Sequence, residues 1–173
     1  MLFRSDRAQE EVDRVLAMQP NYAVGHYIAG LIHQDQGRHE EAIASVTKAA
    51  KSSPGYRGAL GMVYAKAGRT EEARALLAEL KQQKTTPWTA FWMMSAHASL
   101  GELDEAFRWL EWEPHHAWVA WVRVLDWAGL DAMRKDPRYP AHLRRMNLPP
   151  LGPAGPVPGK RRAATGRAGV PPG

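Results

Sequence analysis

Apolar residues recur at spacings of three and four along most of the first 113 residues, which is the period of a helix with one buried face. Ala8, Val12, Val15 and Leu16 share a face over Ser5–Met18, and Pro20 ends that helix. A second helix is predicted over Ala23–Gln36, carrying Ile28, Leu31 and Ile32, and a third runs to Lys51 with Ala42, Ile43, Val46 and Ala49. Ser52-Ser53-Pro54-Gly55 is a break. Ala59–Ala67 turns Leu60, Val63 and Tyr64 inward, and Thr70–Lys81 turns Ala73, Leu76, Leu77 and Leu80 inward, with Thr70 as N-cap. Two further helices are predicted over Trp88–Ser99 and Leu103–Trp112, separated from the preceding pair by Thr85-Thr86-Pro87 and stopped by Pro114. Beyond Pro114 the stripe persists at Trp118, Trp121, Val122 and Leu125. Leu130 with Met133, and Tyr139 with Leu143 and Met146, mark two short closing helices.

The same punctuation returns in three of these segments. Gly30 is followed by Gly37 and Ala42, and Gly61 by Gly68 and Ala73, at offsets of seven and five. Met94, Gly101 and Ala106 keep those offsets with a methionine in first place. Gly37-Arg-His-Glu-Glu-Ala42, Gly68-Arg-Thr-Glu-Glu-Ala73 and Gly101-Glu-Leu-Asp-Glu-Ala106 each give a turn glycine, two acids and a small alanine. A period of 31 to 33 residues is the mark of a repeat architecture. Glycine closes each first helix in the left-handed conformation, and the acids lie in the first turn of the next, where the helix dipole favours them.

Composition adds limits. The chain has 173 residues and no cysteine, so disulfides and thiolate chemistry are excluded. It has no apolar run of membrane-spanning length and no signal-peptide core at its N-terminus, so a soluble, cytoplasmic protein is expected. The net charge of +5 is concentrated: Lys160, Arg161, Arg162 and Arg167 supply +4 in the last 25 residues, which contain no acid. The same 25 residues hold seven prolines and six glycines, a composition expected to stay disordered. The domain plan is therefore one helical repeat domain over 1–147, followed by a basic Pro/Gly-rich tail over 148–173. Within the domain we place a half repeat at 5–20, repeats at 23–53, 54–84 and 87–113, and a helical cap at 115–147.

The paired helices, with glycine at the turn and alanine at the close crossing, resemble tetratricopeptide repeats. Gly30 and Gly61 match the small residue of the first helix. Tyr64 matches the aromatic one turn later, where the neighbouring repeats have His33 and His97, expected to be structural histidines. Ala8, Ala42, Ala73 and Ala106 match the close-packing alanine, and Pro20 and Pro54 the repeat-ending proline. The resemblance implies an all-α fold: a right-handed superhelical stack of antiparallel helix pairs, a solenoid with an irregular helical C-terminal cap. Gly101–Leu110, Leu130–Tyr139 and Leu143–Leu148 are also similar to the C-terminal ends of bacterial multidomain regulators. Those chains carry such repeats behind winged-helix, nucleotide cyclase or serine/threonine kinase domains. No effector domain of that kind is visible, so only the repeat module carries over.

In the family the first helix of each pair lines a groove. The corresponding positions are Tyr27, Leu31 and Gln34, then Gly58, Met62 and Ala65, then Trp88, Phe91 and Ser95. Members that grip a peptide C-terminus place Lys, Asn and Arg at such positions, and that set is missing. An apolar, aromatic groove suits an amphipathic helix or an apolar peptide, unless the chain's own C-terminal helices fill it. Catalytic and cofactor patterns fail one by one. Ile43 stands where His39-Glu-Glu-Ala would need a second metal-binding histidine, and the adjacent His115 and His116 diverge. Gly159-Lys160 precedes Arg161 and is no phosphate loop, and Gly55, Gly58 and Gly61 follow no strand. The reading is a non-catalytic interaction module or scaffold without metal or cofactor, binding a protein or peptide and no membrane. The alternative is a regulator contacting nucleic acid through its basic tail. Ser5–Met18 aligns as the second helix of a pair. Leu2, Phe3, Val12 and Leu16 are therefore expected to offer exposed apolar area, covered by another copy or another protein.

Overall fold

The computed structural model describes residues 6–112 and 130–145. Their regular elements are all helical: α1 (Asp6–Met18), α2 (Ala23–Asp35), α3 (His39–Ser52), a 3-10 turn (Pro54–Tyr56), α4 (Ala59–Lys66), α5 (Thr70–Lys81), α6 (Pro87–Ser99), α7 (Leu103–Leu110), α8 (Asp131–Lys135) and α9 (Arg138–Arg145). The expected helix with Trp118, Trp121, Val122 and Leu125 lies outside the described residues, as does the tail from 148. The fold is the expected all-α solenoid. α2/α3, α4/α5 and α6/α7 form the pairs, α1 packs on α2, α3 and α6 flank α4, and α8 rests on α7.

Three near-identical turns build the pairs. Gly37, Gly68 and Gly101 take φ of 76°, 76° and 78°. Their amides donate to Gln34, Ala65 and Ala98 carbonyls at 3.1, 3.1 and 3.2 Å. The next amides, of Arg38, Arg69 and Glu102, donate to the His33, Tyr64 and His97 carbonyls, each at 2.9 Å. This is the double hydrogen bond that closes a helix on a left-handed glycine. The residue that makes the second bond also begins the next helix: the Arg38, Arg69 and Glu102 carbonyls accept from Ala42, Ala73 and Ala106 at 3.0, 3.1 and 3.0 Å. Arg69, not Thr70, is therefore the N-cap of α5, and no side chain caps that end. Thr70 is already in the helix, because the closing bond of α4 uses the residue before it. α6 starts differently, with Pro87 in its first turn and the Thr86 hydroxyl accepting from the Thr89 amide at 3.1 Å.

The alanines follow from those turns. Ala42, Ala73 and Ala106 are all fully buried. Gly30 lies against α3 so closely that an added Cβ would come within 2.5 Å of Val46 Cγ2 and 3.2 Å of the Ala42 carbonyl. At Gly61 the nearest neighbour is in the next pair: a Cβ there would meet Ala96 Cβ of α6 at 3.1 Å. Met94, third in the series, is itself buried in the core. The cap is packed rather than appended, since Leu130, Met133, Tyr139 and Leu143 share one cluster with Ala106, Phe107 and Leu110. On α1, Val12 and Leu16 are half-buried, not exposed; Met18, at 74% exposure, is the open apolar residue, and Leu2 and Phe3 lie outside the described residues.

Two stability outcomes follow. A Cβ at Gly68 meets nothing within 4 Å, so Gly68→Ala carries only the left-handed backbone strain. We expect a loss of about 1–2 kcal/mol in denaturant melts; coincident curves would contradict the turn. Ala73 is buried while Ala75 is exposed. Ala73→Leu is expected to cost about 1–3 kcal/mol by overpacking, with Ala75→Leu within about 0.5 kcal/mol of the parent chain. Equal losses at the two sites would break the register.

Candidate functional site

The starts of the first helices converge on an aromatic cluster. Trp92 is its centre, buried to 1% exposure. Its indole Nε1 donates to the Gly55 carbonyl at 2.8 Å, tying α6 to the 3-10 turn that opens the preceding pair. Its ring meets Tyr27 of α2 at 5.4 Å, Tyr56 at 6.3 Å, Trp88 at 5.1 Å and Phe91 at 4.9 Å. These are edge-on or tilted contacts at favoured aromatic separations. Gly58 makes the approach feasible: a Cβ there would stand 2.5 Å from Trp92 Cβ and 2.6 Å from its Cγ. Tyr27 and Tyr56 are 5.1 Å apart, so one cluster spans all three pairs. Burial pushes the Tyr27 phenol well above its ordinary range, and the neighbouring Tyr56 adds to the effect.

The predicted groove residues divide by depth. Tyr27, Leu31, Gln34, Met62, Phe91 and Ser95 are buried, as is Gly58. Ala65 and Trp88 are half-buried and keep surface for contact. Two of the polar side chains make local contacts. Ser95 donates its hydroxyl to the Phe91 carbonyl at 2.9 Å, and Gln34 Nε2 lies 2.8 Å from His39 Nδ1 across the α2–α3 turn. Trp88 stacks on Phe91 at 5.7 Å and stands edge-on to Tyr56 at 6.1 Å. Next to Ala65, Lys66 is half-buried. Desolvation lowers its amine below the ordinary lysine value, partly offset by Asp35 and Asp131. Among the described residues no group of three His, Cys, Asp or Glu could hold a metal ion, and no helix is long and apolar enough to cross a membrane.

Two family models, both for the tetratricopeptide repeat, match the chain, one over residues 4–57 and one over residues 33–98. The chain contains tetratricopeptide repeats over residues 4–98. The matches run from just before α1 almost to the end of α6, so they include the aromatic cluster. Tetratricopeptide repeats generally mediate protein–protein interaction or scaffolding. No curated protein and no solved structure gives a significant match.

The opposite ends of the tetratricopeptide pairs, at the glycine turns, are polar. His97 is buried at 5% exposure, and its Nδ1 lies 2.7 Å from Glu102 Oε2. Arg74 of the preceding pair donates to Glu102 Oε1 from Nη2 at 2.9 Å and from Nε at 3.1 Å. His33, at the same place in the first pair, is half-buried with Nδ1 3.2 Å from Ser45 Oγ. Both histidines are structural, as expected. Trp92 and Gly58 as an inter-pair lock were missed in the sequence; the available signal was a glycine just before a helix with no turn to make.

Glu102 gives a pH signature. Burial alone would raise its carboxyl, but hydrogen bonds from His97 and Arg74 outweigh that, so it titrates below the ordinary glutamate value. A carboxylate depressed in the folded state adds stability above its unfolded value of about 4.3, and that contribution fades as pH falls through the folded value. The stability gap between the parent chain and Glu102→Gln should therefore be wide near neutral pH and narrow between about pH 5 and 3. Urea melts across that window check this; an unchanging gap would remove the charge-assisted clamp.

Proposed function

We propose that this chain is a non-catalytic interaction scaffold of the regulatory kind, which binds an apolar or amphipathic peptide along the first-helix face. The observation that carries this is that Ala65, near the end of α4, and Trp88, in the first turn of α6, are half-buried on first helices whose other groove positions are buried. Partly covered aromatic side chains backed by a packed floor are the usual anchors of protein recognition. The groove positions Tyr27, Leu31, Gln34, Met62, Phe91 and Ser95 act as that floor, and ligand contact falls to Ala65 and Trp88. The regulatory assignment rests on the resemblance of residues 87–148 to the C-terminal ends of bacterial multidomain regulators; a cytoplasmic location is the accompanying reading of a sequence with no signal-peptide core at its N-terminus. The nucleic-acid alternative has less support in the repeats. Several of their arginines are engaged with acids, as in Arg57–Glu79 at 2.6 Å, Arg69–Glu72 and Arg74–Glu102 at 2.9 Å. A contact with nucleic acid would depend on the tail cations.

The test is selection of peptides from a random displayed library on the full chain, followed by titration of Ala65→Glu. That substitution puts a charge on the half-buried face without filling the core. Selected peptides are expected to be apolar or amphipathic and to lose at least about tenfold in affinity, the size of a central anchor contact. Selection that yields only peptides indifferent to Ala65→Glu would overturn the assignment of this face.

A further inference from the structure

The two ends of the helix pairs differ in charge. At the glycine turns, residues 33–42, 66–73 and 99–106 hold eight acidic and three basic side chains. At the opposite end, where one pair gives way to the next, residues 17–23, 48–58 and 80–90 hold five basic side chains and no acid. Glu79, one residue before the last of these segments, is paired with Arg57 at 2.6 Å, which also brings the end of α5 to the start of α4. Helix starts divide in the same way. α3, α5 and α7 each carry two acids in the first turn, while α2, α4 and α6 carry none. No acid in those first turns offsets the positive ends of the first-helix dipoles.

The acid-free end is also aromatic. Tyr22, the N-cap of α2, is 42% exposed. Tyr56, in the 3-10 turn before α4, and Trp88, in the first turn of α6, are half-buried. Tyr22 is near enough to Tyr56 to raise its phenol further than burial alone does. Beside these rings, Lys51 lies in the last turn of α3, Lys81 ends α5, and Lys84 stands three residues before α6. All three lysines are exposed, and no ion pair among the described residues engages them.

Unengaged cations next to partly covered rings complement a chain that mixes carboxylates with apolar side chains. A lysine stem packs on the apolar groups while its head reaches the acid. Single-stranded nucleic acid fits less well, because bases stack on open ring faces. Trp88 has one face stacked on Phe91 and stands edge-on to Tyr56.

We propose that this edge, Tyr22, Tyr56 and Trp88 with Lys51, Lys81 and Lys84, docks an acidic stretch of an amphipathic peptide through its internal carboxylates and apolar side chains. This names the chemistry of the peptide proposed above, and rests on that reading for the face that the edge continues at Trp88.

The experiment takes peptides selected from the random displayed library on the full chain, resynthesised with amidated C-termini. Each is titrated against the parent chain, Lys51→Glu/Lys81→Glu/Lys84→Glu and Ala65→Glu. The peptides should be enriched in Asp and Glu beside apolar residues. The triple variant should lose at least about tenfold in affinity, with a gap that shrinks as salt rises and a thermal melt like the parent's. The neutral variant Lys51→Gln/Lys81→Gln/Lys84→Gln should show a smaller loss in the same direction. Peptides without acid enrichment, or binding that both triple variants leave unchanged, would overturn the proposal. If such peptides still weaken with Ala65→Glu, the first-helix face stands without the acidic edge. Acidic peptides that weaken in the triple variants alone would support the edge and overturn the face. Binding that needs a free C-terminal carboxylate would overturn the proposal as well. So would a single-stranded oligothymidylate that binds the parent chain more tightly than the peptides and is lost in the triple variants, in favour of nucleic acid.

Discussion

The stack depends on one hydrogen-bonded turn, used three times. In each, a residue directly after a left-handed glycine donates its amide back to the first helix of the pair, and its carbonyl then accepts the first bond of the second helix. Arg38, Arg69 and Glu102 thus belong to both helices, and no loop lies between them. The five-residue offset from glycine to alanine follows. The N-cap is one residue after the glycine, and the first intrahelical amide is four residues beyond the N-cap. That amide belongs to Ala42, Ala73 or Ala106, each with its methyl fully buried. A longer side chain there would force the pair apart just where the turn permits least adjustment.

Register between pairs has a separate origin. Arg38 reaches back to Gln9 at 3.3 Å, Arg69 to Glu40 at 3.5 Å, and Arg138 to Asp104 at 2.7 Å, so each pair and the cap touch the second helix before them. The third rung inverts the charges, with Arg74 donating to Glu102. Exposed pairs of this sort contribute little, roughly 0–1 kcal/mol each, against several kcal/mol for a large buried aromatic such as Trp92. Burial therefore holds the stack together, and the polar rungs mainly favour one alignment over its neighbours.

What was legible in the sequence is what local rules decide. Positive φ at Gly37 and Gly68, acids in the first turns, and the buried faces Ala42-Ile43-Val46 and Ala73-Leu76-Leu77-Leu80 needed only spacing. Thr70 was misread because its good capping chemistry was weighed without the turn, whose geometry assigns the N-cap to Arg69. The groove was legible as a set of positions and not as a surface. Periodicity says that Tyr27, Phe91 and Trp92 lie on first helices, but burial depends on what the adjacent pair sets against them. Gly61 shows the same limit: it matches the family's small position, yet its nearest neighbour is Ala96 of the next pair, a contact between segments 35 residues apart.

Trp88 and Trp92 lie on successive turns of α6 and connect the outside of the stack to its inside. Trp88 keeps surface, contacts Tyr56 and stacks on Phe91, while Trp92 is sealed and bonded to Gly55 in the turn that Tyr56 completes. A ligand seated on Trp88 therefore touches the same short segment, Gly55-Tyr56, that Trp92 holds from within. Binding to the folded form alone stabilises it in proportion to the logarithm of ligand concentration over Kd. Occupancy of the edge would accordingly reinforce the junction of the second and third pairs before any other. Among the described side chains of α1 none is fully buried, so the α1–α2 end would gain least. Recognition and local stability thus meet at one junction of the stack, because the aromatic residues that offer surface are packed directly on those that close the core.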